Sequence, residues 1–176
     1  ISMNISLSGA NVLQSGNTTV PYIADPGGVV ELSNYGQDPT LALAVDDILG
    51  QHYQSIYSKT LAQANRNSID ASVLFKSALD GLSAPFDPSA IADNTQTYQR
   101  LSMVSKIIAA RTELSMNRQI FFVERGGFDH HNELLEPQSG LFIELNEAIQ
   151  IFWTAIQSMG LQLSLIHISE PTRRRG

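Results

Sequence analysis

Three side chains of metal-ligand type stand in a row at Asp129, His130 and His131. Carboxylate oxygen and imidazole nitrogen are ligands that zinc and other divalent cations take in proteins. Asp129 and His131 lie two positions apart, so they can reach one ion only from an extended or turning backbone. The run indicates part of a metal or phosphate site, and a solvated polar turn is the alternative interpretation.

The residues before this triplet predict how a fold would present it. Ile120 to Val123 are four consecutive aromatic or β-branched residues, which predict a buried strand within residues 118–125. Gly126 and Gly127 then free the backbone to turn tightly. Open α/β sheets present their sites in this order, at the carboxyl ends of strands.

Apolar residues at helical spacing predict helices on both sides of this strand. The predicted segments are 39–56, about 68–82, 95–114 and about 137–160. Asp38 is a candidate N-cap for the first helix, and Gly160 is a candidate C′ residue for the last. Helices alternating with a buried strand predict an α/β fold.

The first 36 residues predict short strands and turns. Met3, Ile5 and Leu7 alternate with polar residues, as in a half-buried strand. Residues 18–20 predict a second extended segment, and Pro21 places it at a sheet edge because proline cannot donate to a ladder. With the turn at 25–28, the prediction is a β-hairpin elaboration.

Composition excludes several classes of protein. The chain has 176 residues, enough for one domain with a core, and a net charge of −6, which indicates no nucleic-acid surface. It has no cysteine, which excludes disulfides and thiolate metal sites. No apolar run approaches the roughly 20 residues of a membrane helix, so no transmembrane segment is predicted.

Both ends of the sequence predict a piece of a longer protein. The chain opens on Ile1 rather than methionine and shows no signal peptide, so we expect the true N-terminus to be missing. Residues 164–176 change character abruptly and resemble translated adapter or vector sequence. We predict one domain over residues 1–163 and a non-native tail over 164–176. A genuine basic tail that binds an acidic partner is the alternative.

The run from Gly126 to His131 resembles a bacterial family catalogued as domain of unknown function 1501, in the alkaline phosphatase and sulfatase-like superfamily. The order of helix 95–114, strand, glycine turn and following helix is similar as well, and so is the segment 5–11. The resemblance covers roughly residues 3–162. The usual motif of that family is Gly-Gly-Phe-Asp-Thr-His, so Asp129 and His131 match it and His130 replaces the threonine.

This resemblance implies a partial three-layer α/β/α sandwich of alkaline phosphatase-like type. It also implies an exported or periplasmic protein related to metal-dependent hydrolases of phosphate or sulfate esters, with an anionic ester as substrate. Asp129 and His131 would ligate zinc, or magnesium, manganese or calcium, and His130 is the less favoured ligand. The family's downstream Ser-Glu/Asp-Phe-Gly-Arg and Asp-His-Gly motifs are absent here. The metal site is therefore expected to be incomplete and the fragment inactive, and no catalytic residue is assigned.

Two other functions stay open at this point. The Asp-His-His phosphoesterases also place these three residues just after a strand, but the sequence shows no partner aspartate motif upstream. An exported, non-catalytic binding or surface-assembly protein on the same scaffold is the second alternative. If neighbours of strand 118–125 lie beyond the fragment, we expect an unpaired strand edge that favours aggregation.

Overall fold

The computed structural model describes residues 2–16, 21–91, 95–129 and 135–166. These ranges form a mixed α/β protein, as predicted, with four α-helices and one three-stranded parallel sheet. The strands are β1 (Asn4–Ser6), β2 (Tyr22–Ile23) and β3 (Ile120–Phe122). The helices are α1 (Pro39–Gly50), α2 (Ile56–Leu79), α3 (Gln96–Ala109) and α4 (Leu135–Ser158), with 3₁₀ turns at Val12–Gln14, Pro88–Ala90 and Gln162–Ser164.

The sheet has the order β2-β1-β3, and both pairings are parallel. The three strands therefore form no hairpin with one another, since a hairpin requires antiparallel strands. What the described residues show of the predicted hairpin is one antiparallel bridge between Asp25 and Gly28 at the predicted turn. The chain instead crosses back before β2, and the 3₁₀ turn Val12–Gln14 lies in that crossover. The extended segment predicted at 18–20 lies outside the described residues. Among the described residues, Pro21 directly precedes β2, which lies at one edge of the sheet.

Register separates the two faces of the sheet. Ile5 pairs with Tyr22 and Phe121, so these three side chains share one face. That face packs against the helices in a core containing Phe75 of α2, Ile107 of α3 and Ile156 of α4. Each fully buried side chain of this size contributes about 1.5–3 kcal/mol through removal of apolar surface from water. The sheet and three helices therefore share one core.

The two helices between residues 38 and 82 have different boundaries from those predicted. Asp38 caps α1 as expected, because its carboxylate accepts hydrogen bonds from the N–H groups of Thr40 (2.9 Å) and Leu41 (3.3 Å). However, α1 ends at Gly50, and α2 begins at Ile56 instead of near Ser68. The first half of α2 is largely exposed and polar, so its sequence carries little apolar periodicity.

The same backbone motif closes α4 and the turns that follow α3. Gly160 has a φ of 69°, its N–H donates to Gln157 O (2.9 Å), and Leu161 N–H donates to Ile156 O (3.1 Å). This is a Schellman motif, and it confirms Gly160 as the C′ residue. Ser115, with a φ of 54°, forms the equivalent motif after α3, with N–H donation to Thr112 O (3.0 Å). Helical turns therefore continue to residue 114, where the sequence predicted the end.

Ser115 offers a direct test of these helix ends. We expect Ser115→Gly to raise the free energy of unfolding by about 0.5–1 kcal/mol, because glycine adopts a left-handed conformation without the Cβ penalty. Gly160→Ser should lower it by a similar amount. Urea unfolding followed by circular dichroism measures both changes. A Ser115→Gly protein that is less stable than the parent would contradict the assignment.

Strand β3 is shorter than the predicted 118–125 and lies at the other edge of the sheet. In the described part of the chain it pairs with β1 alone, and Ile120 is 52% exposed. An open edge with an exposed isoleucine is what the aggregation prediction requires.

Of the predicted tail, residues 164–166 are described, and Leu165 contacts the core. No helix within the described ranges is both long and apolar enough to span a membrane.

Candidate functional site

The loop after β3 leaves the sheet at the carboxyl ends of its parallel strands. We call residues 123–129 the post-β3 loop. Its start is held by two contacts: Glu124 N–H donates to Ser8 Oγ (2.8 Å), and Arg100 Nη1 donates to Glu124 O (2.5 Å). Ser8 follows β1 and Arg100 lies on α3, so the loop is joined to a neighbouring strand and to a helix.

An ion pair fixes the middle of the post-β3 loop to α4. Arg125 Nη2 lies 2.7 Å from Glu144 Oε2, and the side chains are 29% and 13% exposed, respectively. Thr95 Oγ1 donates to the other carboxylate oxygen of Glu144 (2.5 Å). Arg125 Nη1 also donates to Gly126 O (2.8 Å), so one guanidinium holds both the helix and the loop backbone.

The Glu144 carboxylate stays ionised in this setting. Burial by itself would raise the pKa of Glu144, but hydrogen bonds from Arg125 and Thr95, together with the positive charge of Arg125, hold it below the usual value. The charged pair therefore persists at neutral pH, and Glu144 anchors the loop through Arg125.

The glycine turn and the aromatic residue after it complete the anchor. Gly127 has a φ of 93°, which confirms the predicted need for glycine in this turn. A Cβ at Gly127 would lie 3.7 Å from Leu141 of α4, so this part of the backbone runs close to the helix. The rings of Phe128 and Phe142 follow, with centroids 5.3 Å apart. The loop is thus attached to α4 up to the residue before Asp129.

Asp129 is exposed at the end of this anchored segment. His130 and His131, the other predicted metal ligands, lie outside the described residues. Among the residues that are described, no three histidine, cysteine, aspartate or glutamate side chains come together as a metal-binding group. The structure therefore positions one of the predicted ligands, and the pairing of Asp129 with His131 stays a prediction.

Sequence reasoning missed the residues that position the loop. Arg125, Glu144 and Arg100 were not singled out, although Arg125 directly precedes the two glycines. A charged residue beside a glycine turn is a signal that could have drawn attention to it. The partner of Arg125 could not be predicted from the sequence, because the following helix contains several glutamates and the sequence does not distinguish among them.

The carboxyl ends of β1 and β2 border a crevice next to the start of the post-β3 loop. We call it the β1–β2 crevice; it has a volume of about 530 Å³. Its lining includes Ser8, Ile23, Asp25, Val30, Gln99 and Arg100. Asp25 Oδ1 accepts a hydrogen bond from Gly27 N–H (2.7 Å), which closes the turn at one side. The crevice and the post-β3 loop lie at the same end of the sheet, where its parallel strands terminate.

Comparison of the chain with protein-family models, with curated proteins and with solved structures gave no match. The resemblance based on residues 126–131 therefore stays a prediction, and the functional argument rests on the geometry at the carboxyl end of the strands.

Proposed function

We propose that the chain is part of an exported bacterial protein related to metal-dependent phosphate and sulfate ester hydrolases, with Asp129 and His131 as metal ligands. The position of the post-β3 loop carries this proposal. The loop leaves the carboxyl end of a parallel strand, where α/β proteins hold their ligands, and it is fixed to α4 immediately before Asp129. Export and a three-layer sandwich of alkaline phosphatase type belong to the same proposal.

The described residues fit a divalent metal at Asp129 in one respect. The Asp129 side chain is exposed, so an ion can reach its carboxylate from solvent. A bound divalent ion would supply Lewis-acid polarisation of an ester oxygen or an activated water. Arg125 and Phe128 are not proposed as ligands; they hold the backbone on either side of the glycine turn. Imidazole with carboxylate suits zinc, and oxygen ligands also suit magnesium, manganese or calcium.

Metal affinity tests these two ligands directly. We expect Asp129→Ala and His131→Ala each to weaken Zn²⁺ binding by at least about tenfold in isothermal titration calorimetry, because each removes a ligand. His130→Ala should have little effect, since His130 is the less favoured ligand. Asp47→Ala, which removes an exposed carboxylate on α1, is the control for non-specific charge. Unchanged affinity in both ligand variants would make Asp129 and His131 structural residues.

A non-catalytic binding protein on the same scaffold is the second candidate. The β1–β2 crevice favours it, because the crevice can hold a ligand without any metal. Because we expect this fragment to be inactive, the two candidates are separated by hydrolysis of para-nitrophenyl phosphate and para-nitrophenyl sulfate by the full-length protein. Turnover that is lost in Asp129→Ala supports the hydrolase, and metal binding without turnover of either ester supports the binding protein.

A further inference from the structure

The β1–β2 crevice combines one cationic side chain with an apolar wall and one carboxylate, Asp25, whose Oδ1 accepts from Gly27 N–H (2.7 Å). Arg100 is the one lysine or arginine among its lining residues. The apolar wall contains Leu7, which is buried, and Ile23 and Val30, which are 43% and 57% exposed. Polar and apolar surface contribute about equally to the lining, so polar groups can fix the orientation of a small organic molecule while the apolar wall covers its body.

Arg100 is prepared to receive an acceptor group. Its Nη1 donates to Glu124 O (2.5 Å) and its Nη2 donates to Gln96 Oε1 (3.1 Å), which fix the plane of the guanidinium. Its Nε atom is buried and has no hydrogen-bond partner in the described part of the chain, so a ligand in the crevice cannot reach it. Each Nη carries two N–H groups and donates one of them here, so one N–H on Nη1 and one on Nη2 remain for an acidic group. Acids with two oxygens match this planar donor set.

The size of the crevice indicates more than an inorganic ion. A volume of about 530 Å³ lies within the range of roughly 300–1,000 Å³ for small-molecule sites and exceeds what a single oxyanion fills. Ile23 and Val30 would be left facing water by a bare anion, whereas an organic group would cover them. Ser8 and Gln99 add polar groups that can bond to a hydroxyl on the ligand.

We propose that the β1–β2 crevice binds a small organic acid, with its acidic group at Arg100 and its apolar part against Ile23 and Val30. The acidic group is a carboxylate or a phosphate monoester, both of which present paired oxygens. Acid binding at Arg100 needs no metal ligand, so acid binding and metal binding can fail independently of each other.

Benzoate and phenyl phosphate are the probes for this site, titrated into the 176-residue chain and followed by amide chemical shifts. We expect both probes to bind. The largest amide shifts should occur at Gly9, Ala24 and Gly27, which line the crevice. Tighter binding of benzoate identifies the carboxylate, and tighter binding of phenyl phosphate identifies the ester. Benzyl alcohol, which lacks the charge, should bind at least about tenfold more weakly than the better probe.

Two variants test the two halves of the crevice. Arg100→Gln should weaken binding of the better probe by about tenfold or more, whereas Lys106→Gln, on the same helix outside the crevice, should not change it. Since Arg100 also holds Glu124, Val30→Glu provides a second test at an exposed position that leaves the fold intact. It should weaken binding by a similar factor through repulsion and loss of the apolar wall. Shifts elsewhere in the chain, no binding of either probe, or unchanged affinity in both variants would overturn the proposal.

Discussion

Replacing Phe75 with alanine should lower the free energy of unfolding by about 3–5 kcal/mol, the range for truncating a buried phenylalanine. Phe75 is 0% exposed, and its ring stacks on Tyr22 of β2 with centroids 4.5 Å apart. The substitution would therefore leave a cavity between α2 and the sheet. Since domains are stable by about 5–15 kcal/mol, this loss is a large part of the total.

Leu74 provides the matched control for this result. It precedes Phe75 on α2 but is 46% exposed, so Leu74→Ala removes much less buried surface. We expect it to cost under about 1.5 kcal/mol in the same urea-unfolding measurement. Equal losses in the two variants would show that α2 does not pack against the sheet through Phe75. Phe75→Leu, which keeps apolar volume but removes the ring, should fall between the two.

The Glu144→Gln substitution should lower the free energy of unfolding by about 1–3 kcal/mol at pH 7, as expected for a charge-assisted pair. Glutamine keeps the shape of the side chain but leaves the Arg125 charge partly buried without its counter-charge. We also expect lower protection of the Gly126 and Gly127 amides in hydrogen exchange, since Arg125 would no longer be held on α4. Glu136→Gln, at an exposed position of the same helix, is the control.

The dependence of this effect on pH has a definite sign. The folded-state pKa of Glu144 is lowered from its ordinary 4.5, so the contribution of its charge is fully present above pH 4.5. That contribution is lost as pH falls through the folded-state pKa. The stability difference between the parent and Glu144→Gln should therefore be constant near neutral pH and shrink in acid below about pH 4.5. A difference that grows in acid would contradict the ion pair.

The β3 region shows how far local sequence could predict the site. The apolar run from Ile120 and the turn at Gly127 were predicted because strand propensity and glycine freedom act within a few residues. The attachment of the loop was not predicted. It depends on Arg125 pairing with Glu144, which is 19 positions away, instead of with another acidic residue. Charge alone does not determine this pairing. The packing of α4 beside the loop brings Glu144 to Arg125.

The direction of β2 shows the same limit for the fold. Alternating residues indicated strands near the N-terminus, but alternation is the same for parallel and antiparallel pairing. The described residues pair β1 in parallel with β2 and with β3, and the β3 partner comes from beyond residue 117. A local turn signal favoured the hairpin, whereas burial of Ile5 between Tyr22 and Phe121 is satisfied by the parallel sheet.

The sequence by itself determined the α/β class, the caps at Asp38 and Gly160, and the glycine turn before Asp129. These features depend on backbone conformation and on hydrogen bonds between near neighbours, whose energies follow from residue type. Only the tertiary structure decided the strand pairing, the Arg125–Glu144 anchor and the β1–β2 crevice. Ser8 and Glu124, for example, meet across 116 positions. Polar side chains of these types fit many partners, and the shared core selects which of them come together.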